Sequence, residues 1–229
     1  MIDPLRHLNV FNPERFNDNV NIIGVGATGS KIVMSLAKLG VKHINVWDDD
    51  IVAEHNVANQ IYGNCHVGMK KSEALYSIVK EYTGTEIKIN DCKVGEEPVN
   101  FSGVVFLLTD TMKSRKEVFE SSLKFKLSVR WVIETRMGTD VFRVYAFNPS
   151  SVTHIEAWEN TLYDDSEAEV SACGSTFSVG PTADAVSAAA VWNFIRWNAL
   201  YNHNEDNNDD VENELIVGLR PYSCLCNKF

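Results

Sequence analysis

Val20 to Val25 is a short apolar run that breaks at a glycine. From Ser30 to Leu39 the apolar residues recur at helical spacing, with Ile32, Val33, Leu36, Ala37 and Leu39 on one face, until Gly40 stops the helix. A second apolar run, Ile44 to Trp47, follows at once. This order predicts a right-handed βαβ unit whose two strands lie parallel in one sheet. Lys71 to Tyr82 repeats the helical pattern, with Ala74, Leu75, Ile78, Val79 and Tyr82 on its buried stripe. Glu86 to Ile89 alternates as a third strand, and Val104 to Leu108 is a continuous apolar run of the kind buried on both faces of a parallel sheet.

The second half of the chain patterns differently. A helix over Ser114 to Lys124 precedes two strands, Val129 to Glu134 and Val141 to Phe147, and Met137-Gly138-Thr139 between them reads as a hairpin, so the sheet becomes mixed there. Residues 148–180 are polar and poorly periodic, which reads as a crossover loop or a functional flap. Pro181 opens an alanine-rich helix to about Asn202. Residues 201–214, with six acidic residues, five asparagines and no Lys or Arg, read as a solvated acidic loop. Leu215 to Leu219 resumes as a strand, and Cys224-Leu225-Cys226 falls in the tail. The fold class is α/β: a Rossmann-like doubly wound sheet, mostly parallel, with antiparallel strands in the C-terminal half.

With 229 residues and 45% hydrophobic content, one domain with a sizeable core is expected. Within it, residues 20–135 form the nucleotide-binding core and 136–229 the mixed-sheet half. A net charge of −10 and an isoelectric point near 5.1 argue against general nucleic-acid affinity, although Lys70, Lys71, Lys80, Lys113, Arg115 and Lys116 could form a local basic patch. No apolar run reaches the roughly 18 to 20 residues needed to span a bilayer, and Met1 to Asn9 lacks the apolar core of a signal peptide, so no membrane association and a cytoplasmic location are expected. Five scattered cysteines suit reduced thiols better than a disulfide framework.

The chemistry concentrates between residues 20 and 71. Gly24, Gly26 and Gly29 form a GxGxxG turn between a strand and a helix, where glycine permits the tight turn and lets backbone N–H groups approach an anionic ligand. Asp48 follows the third glycine by 19 residues, near the spacing at which a strand-end carboxylate accepts a hydrogen bond from a ribose hydroxyl. These features alone fit NAD, FAD or ATP. Asp48-Asp49-Asp50 would repel one another without a nearby cation or ribose.

The residues beyond narrow the choice. WDDDIVAEHNVANQ has the form DxDxV followed by NxxxQ (Asn56, Gln60), VGMKKSEA carries a GxxK (Gly68, Lys71), and Thr109-Asp110 is followed by Arg115. This ordered text, from about Phe11 to Arg136, resembles the ThiF/MoeB/HesA family of ubiquitin-activating-enzyme-like adenylyltransferases. The resemblance implies a phosphate-side turn at Gly24, Gly26 and Gly29, with Asp48 as the ribose partner and Asp50, Asn56 and Gln60 among the nucleotide-binding residues. Lys71 would neutralise phosphate charge, Asp110 would hold Mg2+, and Arg115 would join the catalytic set. It further implies ATP-dependent activation of a C-terminal carboxylate, normally the terminal glycine of a ubiquitin-fold protein or peptide, as an acyl adenylate, in a homodimer or heterodimer. An NAD-dependent oxidoreductase would leave Lys71 and Thr109-Asp110 without a role.

Departures from the family pattern matter as much. Asn59 stands where the family has an arginine, so a phosphate-contacting cation is missing. Lys70, Arg115 or a partner-subunit residue could substitute, and the alternative function is a catalytically weakened nucleotide-binding scaffold or partner of an active subunit. There is no CxxC pair, so zinc is not expected. Cys173 is the candidate for a thiolate that accepts the acyl group, with an incidental thiol as its other reading. Arg136 either faces the cleft or forms a structural salt bridge, while Cys65 and Cys92 read as packing residues.

Overall fold

The computed structural model describes residues 2–167, 178–203 and 211–229. Its strands are β1 (Val20–Ile23), β2 (Ile44–Trp47), β3 (Lys88–Asn90), β4 (Gly103–Leu107), β5 (Val129–Met137), β6 (Val141–Phe147), β7 (Glu214–Leu219) and β8 (Tyr222–Asn227). Its helices are α1 (Gly29–Leu39), α2 (Lys71–Thr83), α3 (Met112–Val118), α4 (Val152–Glu159) and α5 (Gly180–His203). The strands form one sheet in the order β3-β2-β1-β4-β5-β6-β7-β8. β3 through β5 in that order are parallel, and β6, β7 and β8 are antiparallel additions. The fold is the doubly wound α/β class with a mixed C-terminal half.

Alternation along the central strands supplies both faces with apolar groups. Val20, Ile22, Val104 and Phe106 join Ile32, Leu36, Leu75, Ile78, Val186 and Phe194 in one core, which places α1, α2 and α5 on that face. Ile23, Val105 and Leu107 point the other way, into a core with Val118, Phe119, Ile155 and Trp158 from the α3 and α4 side. A period of two is what a strand buried on both faces requires. Asn21 on β1 is the polar exception, and its amide donates to the Ser102 and Val104 carbonyls at 2.7 and 3.2 Å.

Several elements depart from their sequence-based bounds, for local reasons. Helix α3 starts earlier than Ser114 because the Thr111 side chain accepts the Ser114 N–H at 3.1 Å, and it gives way to a wide π turn over Phe119–Leu123. The 148–180 segment is not all loop. Ser151 caps α4, which reaches the core with Ile155 and Trp158 alone, too few apolar positions to read as periodic. The tail forms β8, held by backbone pairing to β7 while every one of its residues is exposed. Tyr82 is 69% exposed at the end of α2, and Cys65 and Cys92 are exposed, not packed. The acidic loop is narrower than residues 201–214, since α5 runs to His203 and β7 starts at Glu214; residues 204–210 lie outside the described residues.

Glu134 on β5 is fully buried and shared by two guanidinium groups, Arg115 at 2.9 Å and Arg136 at 2.9 Å, while the Trp158 indole donates to it at 3.2 Å. Arg136 also donates to the Thr161 carbonyl and hydroxyl and lies 4.3 Å over the Tyr145 ring. Removing one member leaves uncompensated buried charge. Glu134→Ala should therefore lower stability by about 3–5 kcal/mol, read as a shifted urea midpoint.

Candidate nucleotide site

Strand order reverses between β1 and β4, whose neighbours run β2, β3 one way and β5 the other. In an open α/β sheet this switch point leaves a crevice at the carboxyl ends of the strands. The glycine turn leaves β1 at this crevice, and Thr109-Asp110 leaves β4 beside it. Close approach is built in: Gly24, at φ +90°, donates to the Trp47 carbonyl at 2.9 Å, and a Cβ on it would stand 2.8 Å from the Leu108 carbonyl oxygen. A Cβ on Gly29 would fall 2.0 Å from the Gly24 oxygen.

Gly26 differs from both. A Cβ there would meet nothing nearer than the Gln60 amide nitrogen, at 4.0 Å, so packing does not demand glycine. The bare backbone keeps open the space in front of α1, whose N-terminus has no side-chain cap from Thr28 and no acid in its first turn. An uncapped helix start behind an open glycine is suited to an anion.

Asp48, at the end of β2, holds the turn in place. Its Oδ2 accepts the Val25 N–H at 2.7 Å and its Oδ1 accepts the Asp50 N–H at 2.9 Å, which leaves further lone pairs toward the crevice. Burial pushes the Asp48 carboxyl above the ordinary aspartate range, and the Val25 N–H, the nearby Lys71 charge and the Asp50 N–H oppose that rise. Tyr62, which motif reading passed over, donates to the Val25 carbonyl at 2.8 Å, and burial raises its hydroxyl pKa well above the usual value. The Ser30 hydroxyl adds a bond to the Gly26 carbonyl at 2.6 Å. Tyr62 lies two residues past Gln60, and no spacing rule marks it.

Lys71 opens α2 and its side chain is 9% exposed, yet its ammonium meets Asp50 at 2.6 Å, and Asp50 is 67% exposed. The buried cation is thus held by a carboxylate that solvent or a ligand can reach. Asn56 is buried and its side-chain oxygen accepts the Ala53 N–H at 2.9 Å, shaping the turn that presents Asn59 and Gln60. Asn59 donates to the Ser178 carbonyl at 3.2 Å. Asn59 Oδ1, Gln60 Oε1, Ser178 Oγ and Thr109 Oγ1 are buried without a hydrogen-bond partner. Such groups need a ligand or water to complete them.

On the β4 side Asp110 is exposed at the crevice. Arg115 is buried against Glu134 and donates to the Thr135 carbonyl at 3.2 Å. Arg136 is likewise a structural partner of Glu134. Asp165 takes the Met112 and Lys113 N–H groups at 2.6 and 3.1 Å, pinning the start of α3 beside Asp110. Cys173 lies outside the described residues. Among the described residues no three His, Cys, Asp or Glu side chains converge on a metal, whereas a Mg2+ held by one carboxylate and phosphate oxygens needs no such cage. No helix among them is long and apolar enough to cross a membrane.

The ThiF family pattern matches residues 14–216, and the chain belongs to that family. It is 35% identical over 71 residues to the adenylyltransferase and sulfurtransferase UBA4 of Yarrowia lipolytica, a match that covers 31% of this chain and 16% of the relative's length. Among solved structures, PaaA superposes with a TM-score of 0.67 at 16% identity over 94% of this chain and 74% of its own. Escherichia coli MccB with ATP superposes with a TM-score of 0.66 at 12% identity, over 94% of this chain and 64% of that one. At these identities the superpositions establish the fold.

The glycines separate by role. Gly26→Ala should leave stability within about 0.5 kcal/mol while weakening nucleotide binding, because its methyl enters open space. Gly29→Ala should cost at least about 1–3 kcal/mol, because the Gly24 carbonyl must move. Thermal melts and ATP titrations of the two variants distinguish them.

Proposed function

We propose that the chain is an ATP-dependent adenylyltransferase that activates a carboxylate. The observation that carries this reading is the convergence on one crevice of the bare Gly26 turn, the Asp48 carboxylate and the buried Lys71 ammonium. Family membership supports it, as does the relative's name, adenylyltransferase.

In the reaction, an oxygen of the acceptor carboxylate forms a bond to the α-phosphorus of ATP. The bond from that phosphorus to the β-bridging oxygen breaks, and its electron pair leaves with pyrophosphate. Two anions must approach, and charge spreads over the phosphoryl oxygens as they do. The N–H groups at the start of α1 would stabilise that charge as donors already in position, which lowers the barrier more than donors that must reorganise, and Lys71 would add its charge once the phosphates are bound. Asp48 would orient the ribose and thereby the α-phosphorus, and Asp110 would hold Mg2+, whose charge offsets that of the phosphates. Binding of the phosphates would draw Lys71 from Asp50, a trade that Asp50's exposure makes inexpensive.

The acceptor in this proposal is the C-terminal carboxylate of a peptide or a ubiquitin-fold protein. MccB, solved with ATP and with N-formylated MccA, supports a peptide as one form of it. Assembly with a second copy or a different chain belongs to the same proposal. A second reading, a nucleotide-binding scaffold, draws on Asn59, whose amide is engaged with the Ser178 carbonyl and supplies no cation.

ATP–pyrophosphate exchange with candidate acceptor peptides tests the two readings. The enzyme should show exchange that Lys71→Ala lowers by about 100-fold or more while circular dichroism stays native; ATP binding without exchange for any acceptor would favour the scaffold. A pH series adds a second check. An ionised Asp48 accepts a ribose hydrogen bond more strongly than a neutral carboxyl does, and its pKa is raised by burial, so ATP affinity should fall on acidification at a pH above the ordinary aspartate range. The sign for stability is opposite: the raised pKa favours the folded state at low pH, and that contribution is lost as pH rises through the folded value. Asp48→Asn should weaken ATP binding and flatten the acid limb.

A further inference from the structure

Lys31 is placed against the electrostatic preference of its own helix. It lies in the first turn of α1, where the aligned peptide dipoles disfavour a cation, and that turn carries no acid and no side-chain cap. The side chain is 17% exposed, and its ammonium donates to the Gly180 carbonyl at 3.3 Å and pairs with Asp184 at 2.5 Å. Gly180 and Asp184 belong to the start of α5, whose first turn also lacks an acid. The two helices run together here: Lys31 reaches the first residue of α5, and Ser187, about two turns further along α5, donates to the Thr28 carbonyl at 3.1 Å. Two positive helix ends and one ammonium therefore meet at one place.

The balancing charge there is Asp184, 67% exposed and so free to exchange its partner for water or a ligand. The same junction borders the crevice. A Cβ on Gly180 would lie 3.2 Å from the Ala58 carbonyl oxygen and 3.8 Å from Asn59 Cα, and the Ser178, Asn59 and Gln60 side chains around it hold polar atoms that are buried and unpartnered. The Gln60 amide nitrogen faces the open space over Gly26. Two helix N-termini and an ammonium whose carboxylate partner is exposed, set beside an open glycine turn, suit an anion that competes with Asp184 for Lys31.

From this geometry, and resting on the adenylyltransferase reading above, we infer that Lys31 is a phosphate-binding residue that leaves Asp184 to contact the phosphate chain of ATP. The cation then comes from the first turn of α1 and not from the turn carrying Asn59. Asp184 acts as a placeholder that keeps the ammonium in position when no nucleotide is bound.

Calorimetric titration of ATP and of adenosine into the full chain tests the inference. Lys31→Ala should weaken ATP by about ten-fold or more, the scale of one hydrogen bond to a charged group, with adenosine affinity unchanged and Lys31→Arg within about three-fold of wild type. Asp184→Asn should bind ATP more tightly by freeing the ammonium. Wild-type ATP affinity in Lys31→Ala, equal losses for ATP and adenosine, or an Asp184→Asn variant that binds no tighter than wild type would each overturn the role of Lys31 and leave the adenylyltransferase proposal standing. A wild-type chain that binds neither ligand would overturn both.

Discussion

The Asp48 carboxylate, accepting the Val25 N–H at 2.7 Å, ties the end of β2 to the turn that leaves β1. Everything at the crevice depends on that tie. With Val25 held from one side by Asp48 and from the other by the Tyr62 hydroxyl, the backbone beyond it reaches Gly26 and then α1 along one path. The Gly24 oxygen, under Gly29, and the Leu108 oxygen, under Gly24, leave no room for another. A ligand meeting this turn finds its donors already fixed, so little ordering entropy remains to oppose binding. The cost is a carboxylate kept partly out of water, visible in its raised pKa.

The opposite face of the sheet secures the other lip. Glu134 gathers Arg115, Arg136 and the Trp158 indole into one buried charge network, and Asp165 caps the first N–H groups of α3. Both sets of bonds act on the stretch just after Asp110, which fixes where that exposed carboxylate stands. Two arginines that sequence alone allowed at the cleft are thus engaged in holding the loop beside it.

The C-terminal half contributes by returning. After β6 the chain forms α4 and then α5, which packs along α1 and delivers its first turn to the glycine site before β7 and β8 extend the sheet edge. Residues near 180 consequently meet residues near 30 and 59. The crevice is walled by parts of the chain some 150 positions apart, and its charge balance includes a lysine–aspartate pair that spans them.

What the order of residues carried was the local geometry. Glycine at 24 and 29, an acid 19 positions later and apolar runs of strand length specify a βαβ crevice because each acts through its own backbone conformation or its immediate neighbours. The strand-period cores and most helix bounds follow for the same reason. Whether Arg115 and Arg136 reach solvent or Glu134, whether Gly26 or Gly29 leaves space, and where Lys31 finds a carboxylate were decided by tertiary packing. Those outcomes depend on distances between segments remote in the chain, and burial, not residue type, sets the charge each group can bear. The edge strand β8 and the short α4 belong with them, since pairing and two core side chains hold them where no periodic pattern exists to be read.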